Sequence, residues 1–306
     1  MKTEGYYASS GEGRIHYCIW TPDQEPRAVL QIVHGIGEYV DRYDRFAEYL
    51  NSLGYVVLAE DHMGHGKSIL DVPGYFSGGW FCALEDSYQL LTRARKRYPD
   101  LPFVLMGHSM GSFLVRSILC RYPDCGITAA VLSGTGWQNR KKLMLSLGFI
   151  NVVCKLIGEK TPSPFLDKCV FGSYNKRIEH KRTGFDWLSR DPAAVDAYIA
   201  NPLCGFTPTA GLFRELIRGL IYIERPQNLQ NMNKTMPLFL AAGQEDPVGN
   251  YGKGVERTVR AFREAGLQRV DMRLYPYCRH ESLNEINNRE VYEDITGWLQ
   301  SVIFEK

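Results

Sequence analysis

Five short apolar runs, at residues 28–33, 55–58, 103–106, 129–132 and 238–242, constrain this chain more than any other feature. They are nearly continuous rather than alternating, as strands buried on both faces must be. Strands of that kind belong to parallel sheets covered by helices on each side. The predicted class is therefore α/β, with a mostly parallel, doubly wound sheet. The segments between the runs carry helical spacing. Tyr43, Phe46, Ala47, Leu50 and Leu53 recur at intervals of three and four and stop at Gly54, where a helix C-terminus favours glycine. Phe81, Leu84, Tyr88 and Leu91 mark a second helix, and a third follows Ser109. Val291, Ile295, Trp298, Leu299 and Val302 mark the last one.

The alternation lapses between about 137 and 230 and resumes at Met236. Residues 137–230 thus read as a helical cap inserted between two strands of one sheet, and residues 1–136 and 231–306 as the core. Within the cap, residues 143–157 are apolar around most of a helix circumference. Interrupted by Asn151 and Lys155, this run falls short of the roughly 20 residues that a membrane span requires. Two readings stay open: a helix buried within the protein, which is the favoured one, or a lid partly exposed towards lipid.

After the third apolar run comes Gly107-His108-Ser109-Met110-Gly111, a G-x-S-x-G sequence between a predicted strand and a predicted helix. That context projects a serine hydroxyl above the sheet, which marks Ser109 as a nucleophile. A serine needs an imidazole to accept its proton and a carboxylate to orient the imidazole, and in this arrangement acid and base follow in that order. Asp246 directly follows the fifth run, and Pro247 fixes the turn behind it; Glu245 is the weaker alternative. His280, between a strand-like stretch and the last helix, is the one histidine of seven that fits as the base. Negative charge developing on a carbonyl oxygen needs donors held ready. The backbone N–H groups of Met110 and of Ile36, in the loop after the first run, are the candidates.

Other features exclude functions. Lys and Arg number 36 against 34 Asp and Glu, and a net charge of +2 gives no field for binding nucleic acid. The eight cysteines show no zinc spacing, and residues 1–10 have no signal-peptide pattern, so reduced thiols and a cytoplasmic location are expected. His62 and His65 lack a third ligand at a diagnostic spacing, and the stretch from Asp61 to Ser68 lacks the first glycine of a phosphate loop. No metal or organic cofactor is expected. The basic run from Arg93 to Arg97 reads as a solvated helix end.

The residues resemble the monoacylglycerol lipase and lysophospholipase branch of the α/β-hydrolase superfamily, the serine aminopeptidase-like group. The resemblance runs from about Ile32 to Leu299. It rests on His34-Gly35-Ile36-Gly37-Glu38, Asp61 through Ser68, the turn at Ser109, Asp246-Pro247-Val248 and Arg279-His280-Glu281. It implies an α/β-hydrolase fold whose cap covers an acyl channel, and a serine ester hydrolase acting on single-chain lipid esters, foremost monoacylglycerol. Lysophospholipid, a short-chain or aryl ester, a peptide, or a non-catalytic receptor role are the alternatives. Tyr39 and Met63 replace a histidine and an arginine frequent in the family. Glu38 and Arg42 are expected beside the substrate, and the cap is expected to contact a membrane or micelle, in a monomer or homodimer.

Overall fold

The computed structural model describes residues 1–304. Its strands form one eight-stranded sheet, built in chain order from β1 (Lys2–Ala8), β2 (Arg14–Trp20), β3 (Ala28–Val33), β4 (Tyr55–Glu60), β5 (Phe103–His108), β6 (Ala129–Ser133), β7 (Leu238–Gly243) and β8 (Val270–Tyr275). The spatial order is β1-β2-β4-β3-β5-β6-β7-β8. From β4 to β8 every pairing is parallel, while β1 and β2 form an antiparallel edge. Strands β3 to β7 are buried at every position, which is why their sequences do not alternate. Strands β1 and β2 were not legible in the sequence, β1 because it is mostly exposed or half-buried and so has no apolar run, whereas β8, the opposite edge, is the strand-like stretch read before His280.

The helices are α1 (Asp44–Ser52), α2 (Gly79–Arg97), α3 (Met110–Arg121), α4 (Arg140–Ile157), α5 (Pro164–Phe171), α6 (Pro192–Ala200), α7 (Ala210–Ile223), α8 (Pro226–Asn231), α9 (Lys253–Glu264) and α10 (Asn288–Ile303). One core packs α2, α3 and α9 on one face of the sheet; the other packs α1 and α10 on the opposite face. In α2 the buried stripe includes Trp80 and Leu84, whereas Phe81, read from the sequence as inward, is 41% exposed. Helices α4 to α8 all lie between the neighbouring strands β6 and β7.

The favoured reading of residues 143–157 as a buried helix is overturned. Only Leu143, Ile150 and Cys154 of α4 are buried, along the stripe that meets α7. Leu145 and Leu156 stand 76% and 78% exposed, and Met144, Phe149 and Val152 about half exposed. A helix apolar all round carries no signal saying which face the protein covers, so tertiary packing alone decides. No helix among the described residues is long and apolar enough to cross a membrane.

Candidate active site

Ser109 joins the end of β5 to the start of α3 with φ 51° and ψ −122°, a backbone region that costs a residue with a Cβ about 1–3 kcal/mol. The flanking glycines make the bend feasible. A Cβ on Gly111 would collide with the Val33 carbonyl oxygen, and one on Gly107 with the Gly111 carbonyl. The Ser109 N–H donates to the Ser133 carbonyl at 2.9 Å, and the Ser112 hydroxyl donates to the Ser109 carbonyl at 2.6 Å, so the strained turn is held from both sides.

Asp246 and His280 arrive from the loops after β7 and β8. His280 Nδ1 lies 3.0 Å from Asp246 Oδ1, both side chains fully buried. The same Oδ1 accepts from the Val248 N–H at 2.8 Å, while Oδ2 has no partner among the described residues. Glu245, the competing acid, faces solvent. Burial by itself would lower the His280 imidazole, but the charge and hydrogen bond of Asp246 outweigh it and hold His280 above its ordinary value. His108, its ring 4.9 Å from that of His280, has no such carboxylate; burial and the His280 charge push it down to about 3. Two neighbouring imidazoles are thereby driven apart, and only His280 can take up a proton near neutral pH.

The backbone N–H groups of Ile36 and Met110 find no acceptor among the described residues, and both residues flank Ser109 at the same cavity. The loop that carries Ile36 is anchored by Glu38, whose Oε1 accepts from the Gly35 N–H at 2.5 Å and from the Tyr43 hydroxyl at 2.9 Å. Glu38 Oε2 accepts from Arg42, which also forms two hydrogen bonds of 2.6 Å to Glu281. Burial and the nearby Glu281 push the Glu38 carboxyl up, although Arg42 opposes them; the doubly bonded Glu281 is held well below the usual carboxylate range. Of the two residues expected beside the substrate, Glu38 lines the cavity at Ser109. Arg42 does not: its guanidinium is spent on the two carboxylates, and it borders a different pocket.

Two cavities meet at Ile36, Ser109 and Phe171. The smaller, about 280 Å³, is lined by Glu38, Asp167, Glu281 and Thr207 among aromatic and glycine residues, with no lysine or arginine. The larger, about 670 Å³, is lined by apolar groups such as Phe113, Leu143, Val170, Phe213 and Leu216 together with polar ones, Lys142, Lys253 and Arg257 among them. Asp167 escaped the sequence reading because nothing in an isolated carboxylate on α5 marks which way it faces. Its half-buried side chain has no hydrogen bond among the described residues, and burial raises it. The His280 loop is tied to the segment between β6 and β7 by the Trp187 and Leu188 carbonyls, which accept the N–H groups of His280 and Glu281.

His16, His34 and His62 are held by packing and hydrogen bonds away from Ser109, while His180 is exposed. His62 stacks on His34 at 4.0 Å, and its N–H donates to His34 Nε2, so the stretch after Asp61 is a structured turn beneath the site. Glu4, His16 and Cys18 could meet a metal by distance. However, both His16 nitrogens are engaged by Asp61 and Glu4, Glu4 pairs with Lys67, and burial pushes the Cys18 thiol up to about 12, which does not suit a thiolate ligand.

Comparison with known proteins identifies the family. Residues 24–287 match the family model described as serine aminopeptidase, S33. A monoacylglycerol lipase of Mycolicibacterium smegmatis is 32% identical over 98% of each chain. The human monoglyceride lipase is 26% identical over 95% of this chain and 88% of its own. A highly thermostable carboxyl esterase from Bacillus coagulans, solved in complex with glycerol, superposes over 99% of each chain with a TM-score of 0.89 at 30% identity.

Proposed function

Because the chain belongs to the serine aminopeptidase S33 family and has the α/β-hydrolase fold, we propose that it cleaves monoacylglycerols, with Ser109 as nucleophile, His280 as base and Asp246 as the orienting carboxylate. The enzyme is a lipid ester hydrolase. Ser109 Oγ attacks the ester carbonyl and passes its proton to His280 Nε2, while Asp246 keeps the other ring nitrogen protonated and stabilises the imidazolium. The Ile36 and Met110 N–H groups receive the negative charge on oxygen. His280 returns the proton to the departing alcohol, leaving an acyl-serine. A water deprotonated by His280 then hydrolyses that ester and releases the fatty acid.

The observation that carries the substrate is the unequal pair of cavities meeting at Ser109. The apolar cavity suits an acyl chain. The small one is lined by no lysine or arginine, and of its three carboxylates Glu38 and Glu281 are tied to Arg42 while Asp167 stays free to accept, so it favours a neutral head group that donates hydrogen bonds over a phosphate. Glycerol meets that description. Glu38 and Arg42 position the Ile36 loop, and Asp167 accepts from a glycerol hydroxyl. Residues 137–230 act as the cap, and the exposed apolar strip of α4, flanked by Arg140, Lys141 and Lys155, suits docking at a lipid surface.

The test is fatty-acid release from a matched panel of monoacylglycerols, lysophosphatidylcholines and aryl esters. Monoacylglycerols should turn over in preference to lysophosphatidylcholines, and Ser109→Ala should cut the rate by ~10⁴-fold or more. Equal turnover of the lysophospholipids would refute the head-group assignment, and an active Ser109→Ala the nucleophile.

A further inference from the structure

Adjoining the larger cavity lies a third. It is a groove of about 580 Å³ between α8 and α9, with Pro226, Leu229 and Ala261 along it and Glu256, Arg260 and Glu264 at its rim. Trp137, Lys253 and Arg257 line both cavities. Lys253 and Arg257 are exposed and make no ion pair among the described residues, so neither is held in place by one. Trp137 is different: it is the one large, flat, half-buried side chain of the three.

Its setting is unusually constrained. The indole is approached by two guanidinium groups, that of the buried Arg116 at 5.8 Å and that of the exposed Arg257 at 5.6 Å from the ring centre. The backbone is gripped on both flanks. Arg116 Nη1 donates to the Gly136 carbonyl at 2.8 Å, and Glu224 Oε1 accepts from the Gln138 N–H at 2.6 Å. Arg116 is fully buried, with Nε and Nη2 unpartnered, and it is surrounded by the rings of Phe113, Trp137 and Phe262. Glu224 Oε2 is likewise buried and unpartnered. Burying a guanidinium and a carboxylate with so few hydrogen bonds is costly, and what the two groups accomplish together is to fix the residue between the cavities.

We infer that Trp137 ends the acyl cavity and sets the longest chain the enzyme accepts, with Arg116 and Glu224 as positioning residues that hold the ring across the boundary. Removing the ring joins the cavity to the outer groove, so a chain too long for the first can continue into the second. The inference rests on Ser109 as the nucleophile, but not on glycerol as the head group.

It is tested with p-nitrophenyl esters from octanoyl to docosanoyl, which probe the acyl cavity alone, on the wild type and on Trp137→Ala, Trp137→Phe and Arg116→Met. Folding of each variant is checked by circular dichroism. In the wild type kcat/KM should rise with chain length to a maximum and then fall. In Trp137→Ala the maximum should move to longer chains, with ~10-fold gain on the longest esters carried by KM and a markedly smaller change on the octanoyl ester. Trp137→Phe should keep the wild-type profile, and Arg116→Met should broaden it. A Trp137→Ala maximum at the wild-type length, or a wild type without a maximum, overturns the inference. Poor turnover of monoacylglycerols alongside the shifted aryl-ester profile would unseat the head-group reading and leave the wall at Trp137 standing.

Discussion

Arg42 clasps Glu281 through two parallel hydrogen bonds of 2.6 Å, and through its third contact, to Glu38, it links the loop of Ile36 to the loop of His280. One cation thereby sets the spacing between the expected oxyanion donor and the expected base. All three side chains are nearly buried, so removing the cation strands two carboxylates. Arg42→Met should lose about 3–5 kcal/mol of stability, and Arg42→Lys, which lacks the planar fork, should recover only part of it. Urea unfolding of the three proteins measures this, and a loss below about 1 kcal/mol would show that the cluster does not hold the loops.

The strained turn at Ser109 makes a second prediction. Both Ser109→Ala and Ser109→Gly remove the hydroxyl, but only glycine relieves the positive φ. Ser109→Gly should therefore be more stable than Ser109→Ala by about 1 kcal/mol, with both inactive. Equal denaturant midpoints would mean that the turn stores no strain.

The pH dependence follows from His280. Its folded value lies above 6.5, so kcat/KM should rise with pH through an apparent pKa above 6.5 as the imidazole becomes neutral. Asp246→Asn removes the charge that raises it. The inflection should move to lower pH, and kcat should fall by ~10⁴-fold, because the imidazole loses its required tautomer. Stability has its own sign. The interaction of His280⁺ with Asp246 contributes fully below pH 6.5 and is lost as pH rises through the folded value. Urea midpoints across the neutral range should therefore fall with pH more steeply in the wild type than in Asp246→Asn.

On α4 the exposed leucines stabilise nothing in the folded chain. Leu145→Glu combined with Leu156→Glu should leave stability within about 0.5 kcal/mol of the wild type. Co-sedimentation with lipid vesicles should be lost, and turnover of soluble short esters kept. Undiminished vesicle binding would place the lipid contact elsewhere.

In the small cavity, Asp167 has no hydrogen-bond partner of its own among the described residues and stands free to accept from a hydroxyl. Asp167→Ala should raise KM for monoacylglycerol by ~10-fold, about 1.4 kcal/mol, and leave aryl esters untouched. Equal effects on both substrates would assign Asp167 a structural role.

The parallel strands of the sheet, the turn at Ser109 and the order of Asp246 and His280 were legible in the sequence because each depends on neighbours along the chain. A strand buried on both faces shows itself as an apolar run, and the bend at Ser109 requires glycines two residues to either side. The face of α4 that meets solvent, the diversion of Arg42 from the cavity to Glu281, the exposure of Asp167 inside it and the placing of Trp137 between two cavities left no local mark. Each depends on contacts between residues far apart in sequence, 239 positions in the case of Arg42 and Glu281. A side chain's direction is settled by what the folded chain places opposite it. The sequence by itself thus determined the class of fold and the chemistry available to it, while the tertiary structure decided the shape of the space in which that chemistry meets a substrate.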